Sequence, residues 1–95
     1  MNNGVSGNLI RVMLADDHRV LRDSLKLLLE KNGCEVVGEA ATGEEALVTA
    51  GKLHPHVIVM DLEMPGMGGL AVTHRLGRIL PAIRVLILSA YDDEE

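Results

Sequence analysis

Four residues stand where chemistry could collect: Asp16, Asp17, Asp61 and Ser89. Each follows a short apolar run. Leu9-Ile10-Arg11-Val12-Met13-Leu14-Ala15 precedes the acid pair, Val57-Ile58-Val59-Met60 precedes Asp61, and Arg84-Val85-Leu86-Ile87-Leu88 precedes Ser89. Runs of this length suit strands buried on both faces, and in an open parallel sheet the binding crevice lies outside the carboxyl ends of the strands. Three carboxylates and a hydroxyl, far apart along the chain, would then meet in one crevice. Carboxylates crowded in this way repel unless a proton or a cation intervenes. Hard oxygen ligands with open water positions suit Mg²⁺, which can neutralise charge while a phosphoryl group moves to or from a carboxylate. A single acid at a strand end is ordinarily a helix cap or a solvated turn residue. The agreement of the strand ends is what points to a site.

The segments between these runs have helical spacing. Leu21, Leu25, Leu28 and Leu29 recur along one face of residues 18–32, and Gly33 is placed to stop the helix. Residues 34–41 read as a further strand with Val36 and Val37 at its centre. Thr42-Gly43-Glu44-Glu45 is a capping-box pattern, in which the Thr hydroxyl and the side chain of Glu45 satisfy each other's backbone amides. Ala46, Leu47, Ala50 and Leu53 follow as one helical face, closed by Pro55. After Asp61, the loop Met64-Pro65-Gly66-Met67-Gly68-Gly69 leads to a helix near residues 70–80 that ends at Pro81 and contains Gly77. These glycines match no complete phosphate-binding fingerprint and read as turn chemistry. Strands alternating with helices, with runs apolar on both faces, mean an α/β fold with a parallel sheet covered on both sides.

Ninety-five residues with 47% hydrophobic and 24% charged content make one globular domain. One Tyr, no Phe and no Trp leave the core to Leu, Val, Ile, Met and Ala, and exclude stacking platforms for single-stranded nucleic acid. Four of the fourteen acids are Asp92, Asp93, Glu94 and Glu95, so the rest of the chain is almost neutral and has no basic stripe for a phosphate backbone. Direct nucleic-acid binding is therefore not expected. Cys34 is the only cysteine and reads as a small core hydrophobe in a reducing cytoplasm. No secretory signal and no stretch of membrane-spanning length is visible, and residues 1–8 read as a disordered leader. His18 reads as a helix-start residue, while His54, His56 and His74 are too dispersed to suggest a transition-metal site. Met60, Met64 and Met67 read as packing residues and loop anchors.

Four blocks carry a family resemblance: Leu14-Ala15-Asp16-Asp17-His18; Val37-Gly38-Glu39-Ala40 with Gly43-Glu44-Glu45-Ala46; the block from Met60 through Asp61-Leu62-Glu63-Met64-Pro65 to Gly69; and Leu88-Ser89-Ala90. Together they resemble a bacterial response-regulator receiver domain, in the subfamily that carries a C-terminal helix-turn-helix output domain. The likeness runs over residues 9–93, and the domain is read as residues 9–95. It implies a flavodoxin-like doubly wound parallel sheet of order 2-1-3-4, with the first helix on one face and the second and third on the other. It implies that Asp61 is the phosphoacceptor, receiving a phosphoryl group from a histidine of a sensor kinase. Asp17 would ligate Mg²⁺ directly and Asp16 mostly through water, with Asp61 and the backbone carbonyl of Glu63 as further ligands. Ser89 would hydrogen-bond the phosphoryl group, and Tyr91 would couple the site to the output surface. His56 stands where the family commonly has Asp.

The resemblance also implies a fifth strand and two more helices beyond Glu95, together with a lysine that pairs with the phosphoryl group. The chain thus reads as a C-terminally truncated receiver. Its fourth strand would be an exposed apolar edge, open to self-association or to exchange of elements with a second copy. Two other functions fit the residues less well. An aspartyl-phosphate-forming phosphohydrolase usually has a second Asp two residues after its nucleophile, where Glu63 stands. A non-phosphorylated interaction module would not need the intact acid triad.

Overall fold

Along residues 9–88, which the computed structural model describes, strands and helices alternate: β1 (Ile10–Ala15), α1 (Arg19–Lys31), β2 (Cys34–Ala40), α2 (Gly43–Leu53), β3 (Val57–Asp61), α3 (Gly69–Ile79) and β4 (Arg84–Leu88). The expected leader at residues 1–8, Ser89, Tyr91 and the acidic residues 92–95 lie outside the described residues. All strand pairs are parallel and the sheet order is β2-β1-β3-β4, as the resemblance implied.

Two faces of unequal quality result. Side chains alternate along a strand, and residues paired across parallel strands share a face. Met13 and Ala15 of β1 and Ile58 and Met60 of β3 turn to one side and form a core cluster with Ala46 and Ala50 of α2 and Val72 and Leu76 of α3. Most of these side chains are completely shielded from solvent, and Leu47, Met67 and Val85 pack around them. Burying a side chain such as Met13, Ile58 or Leu76 contributes about 1.5–3 kcal/mol, so this face supplies most of the apolar stabilisation. Val12 and Leu14 face the other way, toward α1. That helix has no fully buried residue: Leu21, Leu25 and Leu29 of its expected stripe are half-buried, while Leu28 is 58% exposed. Its packing is chiefly on β2 and β1, and among the described residues no other helix flanks it on that side.

Helix boundaries follow from local chemistry. Gly33, at φ +87°, adopts the left-handed conformation that ends α1. The hydroxyl of Thr42 accepts the Glu45 amide at 3.1 Å, as the capping box predicts. The reciprocal bond differs from expectation: the Glu45 carboxylate accepts the amide of Ala41 at 2.7 Å, one residue before the cap. The extended Thr42 lets the side chain reach past it.

A second difference lies in β2. The register slips between Val12 and Met13, which pair with Val36 and Gly38, so Val37 is an extra residue without a partner on β1. This puts Gly38 beside Met13 on the α2 side. A Cβ there would stand 2.6 Å from Leu53 Cδ1 and 3.2 Å from Thr49 Cγ2. The bulge therefore aims the strand's one side-chain-free position at the helix that packs closest.

Gly77 sits in α3 with open space where its Cβ would be. We expect Gly77→Ala to raise the unfolding free energy by about 1 kcal/mol in urea titration, because it only removes backbone freedom from the unfolded chain. Gly43 is the opposite case, since a Cβ would collide with the carbonyl oxygen of Met67. Gly43→Ala should cost about 1–3 kcal/mol; equal effects at the two positions would refute this packing.

Candidate functional site

The carboxyl ends of β1 and β3 lie side by side, since Ala15 pairs with Met60. Asp61 is the last residue of β3, and Asp16 and Asp17 follow β1 directly. The Asp16 backbone is pinned on two sides: its amide donates to the carbonyl of Ala40 at 2.9 Å, and its carbonyl accepts Arg22 Nη1 at 2.6 Å. Arg22 in turn donates through Nε to Glu39 Oε1 at 2.9 Å. The ends of β1 and β2 and the first turns of α1 are thereby tied together beneath the acid pair.

One ligand atom from each of Asp16, Asp17, His18 and Asp61 falls within 4.8 Å of the others. Asp16 and Asp61 are buried, while Asp17 is exposed. Two unit charges about 5 Å apart repel by about 3 kcal/mol at an effective dielectric near 20. Among the described residues no Lys or Arg side chain forms an ion pair with any of the three carboxylates; the nitrogen that meets them is His18 Nδ1. It lies 2.8 Å from Asp16 Oδ1, 3.2 Å from Asp17 Oδ1 and 3.9 Å from Asp61 Oδ2. Asp16 Oδ1 also accepts the His18 amide at 2.7 Å, so this carboxylate serves the start of α1 in place of a side-chain cap from His18 itself.

The donor set fits a hard divalent cation. Three carboxylates converge, two of them buried, and among the described residues the one ion-pair partner that meets their charge is a largely exposed imidazole. Oxygen ligands of this kind are what Mg²⁺ prefers, whereas an imidazole nitrogen suits transition metals. Asp61 Oδ1 accepts the Glu63 amide at 3.1 Å, which fixes the rotation of the carboxylate, and Oδ2 lies 3.9 Å from His18 Nδ1.

The loop after Asp61 is folded tightly against it. Gly69 donates its amide to the carbonyl of Leu62 at 3.0 Å, and a Cβ at Gly69 would collide with the Asp61 carbonyl oxygen. Met64 is buried and Met67 packs on the core, so both act as anchors as the sequence suggests. Gly66 takes a positive φ of 75°, in keeping with turn chemistry. Asp16, Asp17 and Asp61 are thus brought together, and the Glu63 backbone is beside them. Ser89 and Tyr91 lie outside the described residues; β4 is described to Leu88, which pairs with Asp61. The sequence placed His18 at the start of the helix, which is correct, but not within the acid cluster. Its position directly after two acids was the available signal.

The neighbouring carboxylates raise the pKa of His18, first through the hydrogen bond to Asp16 and then through the charges of Asp17 and Asp16. Protonated His18 therefore contributes to stability in full below the ordinary imidazole value of about 6.5, and that contribution is lost as pH rises through the raised value. In metal-free buffer, an NMR titration of the His18 ring should give a midpoint above the ordinary value. Asp16→Asn should move it back down. A wild-type midpoint at or below the ordinary value would contradict the arrangement.

Comparison with known proteins places this geometry in a family. The profile of the response regulator receiver domain matches residues 12–95. The transcriptional regulatory protein DegU of Brevibacillus brevis is 38% identical over 95 residues, which is 99% of this chain and 40% of that protein. A two-component response regulator of the LuxR family from Aurantimonas sp. SI85-9A1 superposes with a TM-score of 0.84 at 36% identity, over 90% of this chain and 61% of that one. The response regulator TrrA of Thermotoga maritima, solved in complex with Mg(2+)-BeF, superposes with a TM-score of 0.83 at 31% identity, over 88% of this chain and 72% of that one. The chain spans about two fifths of the length of the curated relatives it matches. The four parallel strands, three helices and converging aspartates of the described residues are those of a signalling module, and the chain belongs to the response regulator receiver domain family.

Proposed function

We propose that Asp61 is a phosphoacceptor that takes a phosphoryl group from a histidine of a sensor kinase, and that its phosphorylation controls a transcription-regulating output domain. The observation that carries this reading is a buried carboxylate with one oxygen tied back to the Glu63 amide and a ligand atom within 4.8 Å of one from each of two further acids. A carboxylate oxygen of Asp61 attacks phosphorus, a P–O bond forms as the P–N bond to the kinase breaks, and the electron pair leaves on an imidazole whose other ring nitrogen already carries a proton, so that it departs as neutral histidine. Asp17, Asp16 largely through water, Asp61 and the Glu63 carbonyl would hold Mg²⁺, which when bound neutralises charge gathering on the phosphoryl oxygens. Ser89 would donate its hydroxyl to the arriving group and Tyr91 would relay the change. The added negative charge and strong acceptors then bias a two-state loop.

A cytoplasmic location accords with a kinase partner, and no helix among the described residues is long and apolar enough to cross a membrane. The DegU relative is a transcriptional regulatory protein, which supports the output assigned. For the 95-residue chain we further propose self-association at β4, through edge pairing or element exchange. Leu86 is 60% and Ile87 39% exposed, and among the described residues β4 pairs only with β3.

Incubation with acetyl phosphate and Mg²⁺ should label the chain, weakly or for a short time, with one phosphoryl group that is lost in Asp61→Ala. Unchanged labelling in that variant would refute the assignment of Asp61. Light scattering should show species larger than a monomer at high micromolar concentration, and a stable monomer there would overturn the self-association.

A further inference from the structure

The loop between β3 and α3 leaves Asp61, carries Glu63 and returns at Gly69. Its two ends are tied to each other by the bond from the Gly69 amide to the Leu62 carbonyl. Its outer arm reaches α2. The Met67 amide points between the two carboxylate oxygens of Glu44, at 3.3 Å from each. Two glycines allow this approach. A Cβ at Gly66 would collide with the Glu44 carboxylate, and one at Gly43 would collide with the Met67 carbonyl. Apart from bonds to its own flanking elements β3 and α3, the Glu44–Met67 contact is the only hydrogen bond among the described residues that ties this loop to another element.

We propose that Glu44 is a positioning residue for the acid site. It does not touch Asp61. By holding the Met67 amide it keeps the loop folded back on α2, so that the Glu63 backbone stays against Asp61. Two features make the device specific. Glu44 lies in the first turn of α2, where the helix dipole favours a carboxylate. A hydrogen bond to an ionised acceptor is also stronger than one to a neutral acceptor. Glu45, its neighbour in sequence, is engaged by Ala41 and contributes nothing to the loop.

The inference rests on the reading of the acid cluster as a Mg²⁺-dependent phosphoacceptor site, and the test separates the two. In the full chain, Glu44→Ala should speed hydrogen exchange at the Met67 amide and weaken Mg²⁺ binding, followed by NMR titration of backbone amides, by roughly three- to tenfold. Glu44→Gln retains a carbonyl acceptor and should recover most of both. The urea midpoint of each variant shows whether the fold is intact, and Asp61→Asn serves as the control for the site itself. Unchanged Met67 exchange in Glu44→Ala would overturn the contact, whatever the site does. Faster exchange with unchanged Mg²⁺ affinity would overturn the positioning role. If the wild-type chain bound no Mg²⁺ while Met67 exchange still responded to Glu44, the phosphoacceptor reading would fail and the positioning role with it, leaving a structural latch.

Discussion

Mutual repulsion of the carboxylates is the constraint around which this structure is arranged. Asp16, Asp17 and Asp61 could not stay close, two of them buried, without a surrounding frame that resists their separation. Strands β1 and β3 provide it by ending at the same level in adjacent positions of a parallel sheet. The Asp16 backbone is held by Ala40 and Arg22, and the Asp61 side chain by the Glu63 amide. Each restraint acts on backbone or on a single oxygen and leaves other carboxylate oxygens facing the crevice. The remaining charge is met by His18, whose raised affinity for a proton is the direct consequence.

The core explains why that frame is rigid on one side and open on the other. Small residues dominate where the elements approach most closely: Ala15, Ala40, Ala46 and Ala50 are buried, and Gly38, Gly43 and Gly69 lie under side-chain or backbone atoms that a Cβ would strike. Met13, Met60 and Leu76 then fill what is left. A chain with no Phe and no Trp builds a dense interior in this way, through close approach of backbones rather than large rings. The α1 side lacks this fit, as the exposure of Leu28 and Leu86 shows. The acid cluster sits at the rim between the two faces.

The loop after Asp61 shows how neighbouring elements are joined to the site. Met64 and Met67 anchor it by packing, Gly69 by close approach to Asp61, and Glu44 by a hydrogen bond from α2. Movement at Asp61 would therefore be felt first in this loop and at the start of α2. A single charged group on a first helical turn thereby links residues 23 positions apart in sequence.

Much of this was legible in the chain itself. Apolar runs ending in acids, helical stripes between them, and Gly33, Thr42 and Pro55 as punctuation are local signals, because propensity and capping act over a few residues. The alternation of strand and helix demands a parallel sheet, and that alone brings Asp16, Asp17 and Asp61 to one end. The order of the strands follows from the resemblance, and the sheet has that order. What only the tertiary structure decided depends on contacts between distant segments. The bulge at Val37 brings Gly38 to face Leu53 and Thr49. His18 enters the acid cluster because the first turn of α1 is aimed across the crevice. Glu44 and Glu45 are identical neighbours in sequence, yet one holds the Met67 amide and the other the Ala41 amide. Residue type settles which groups can bond, but only the packing of α2 against the loop settles which partner each one meets.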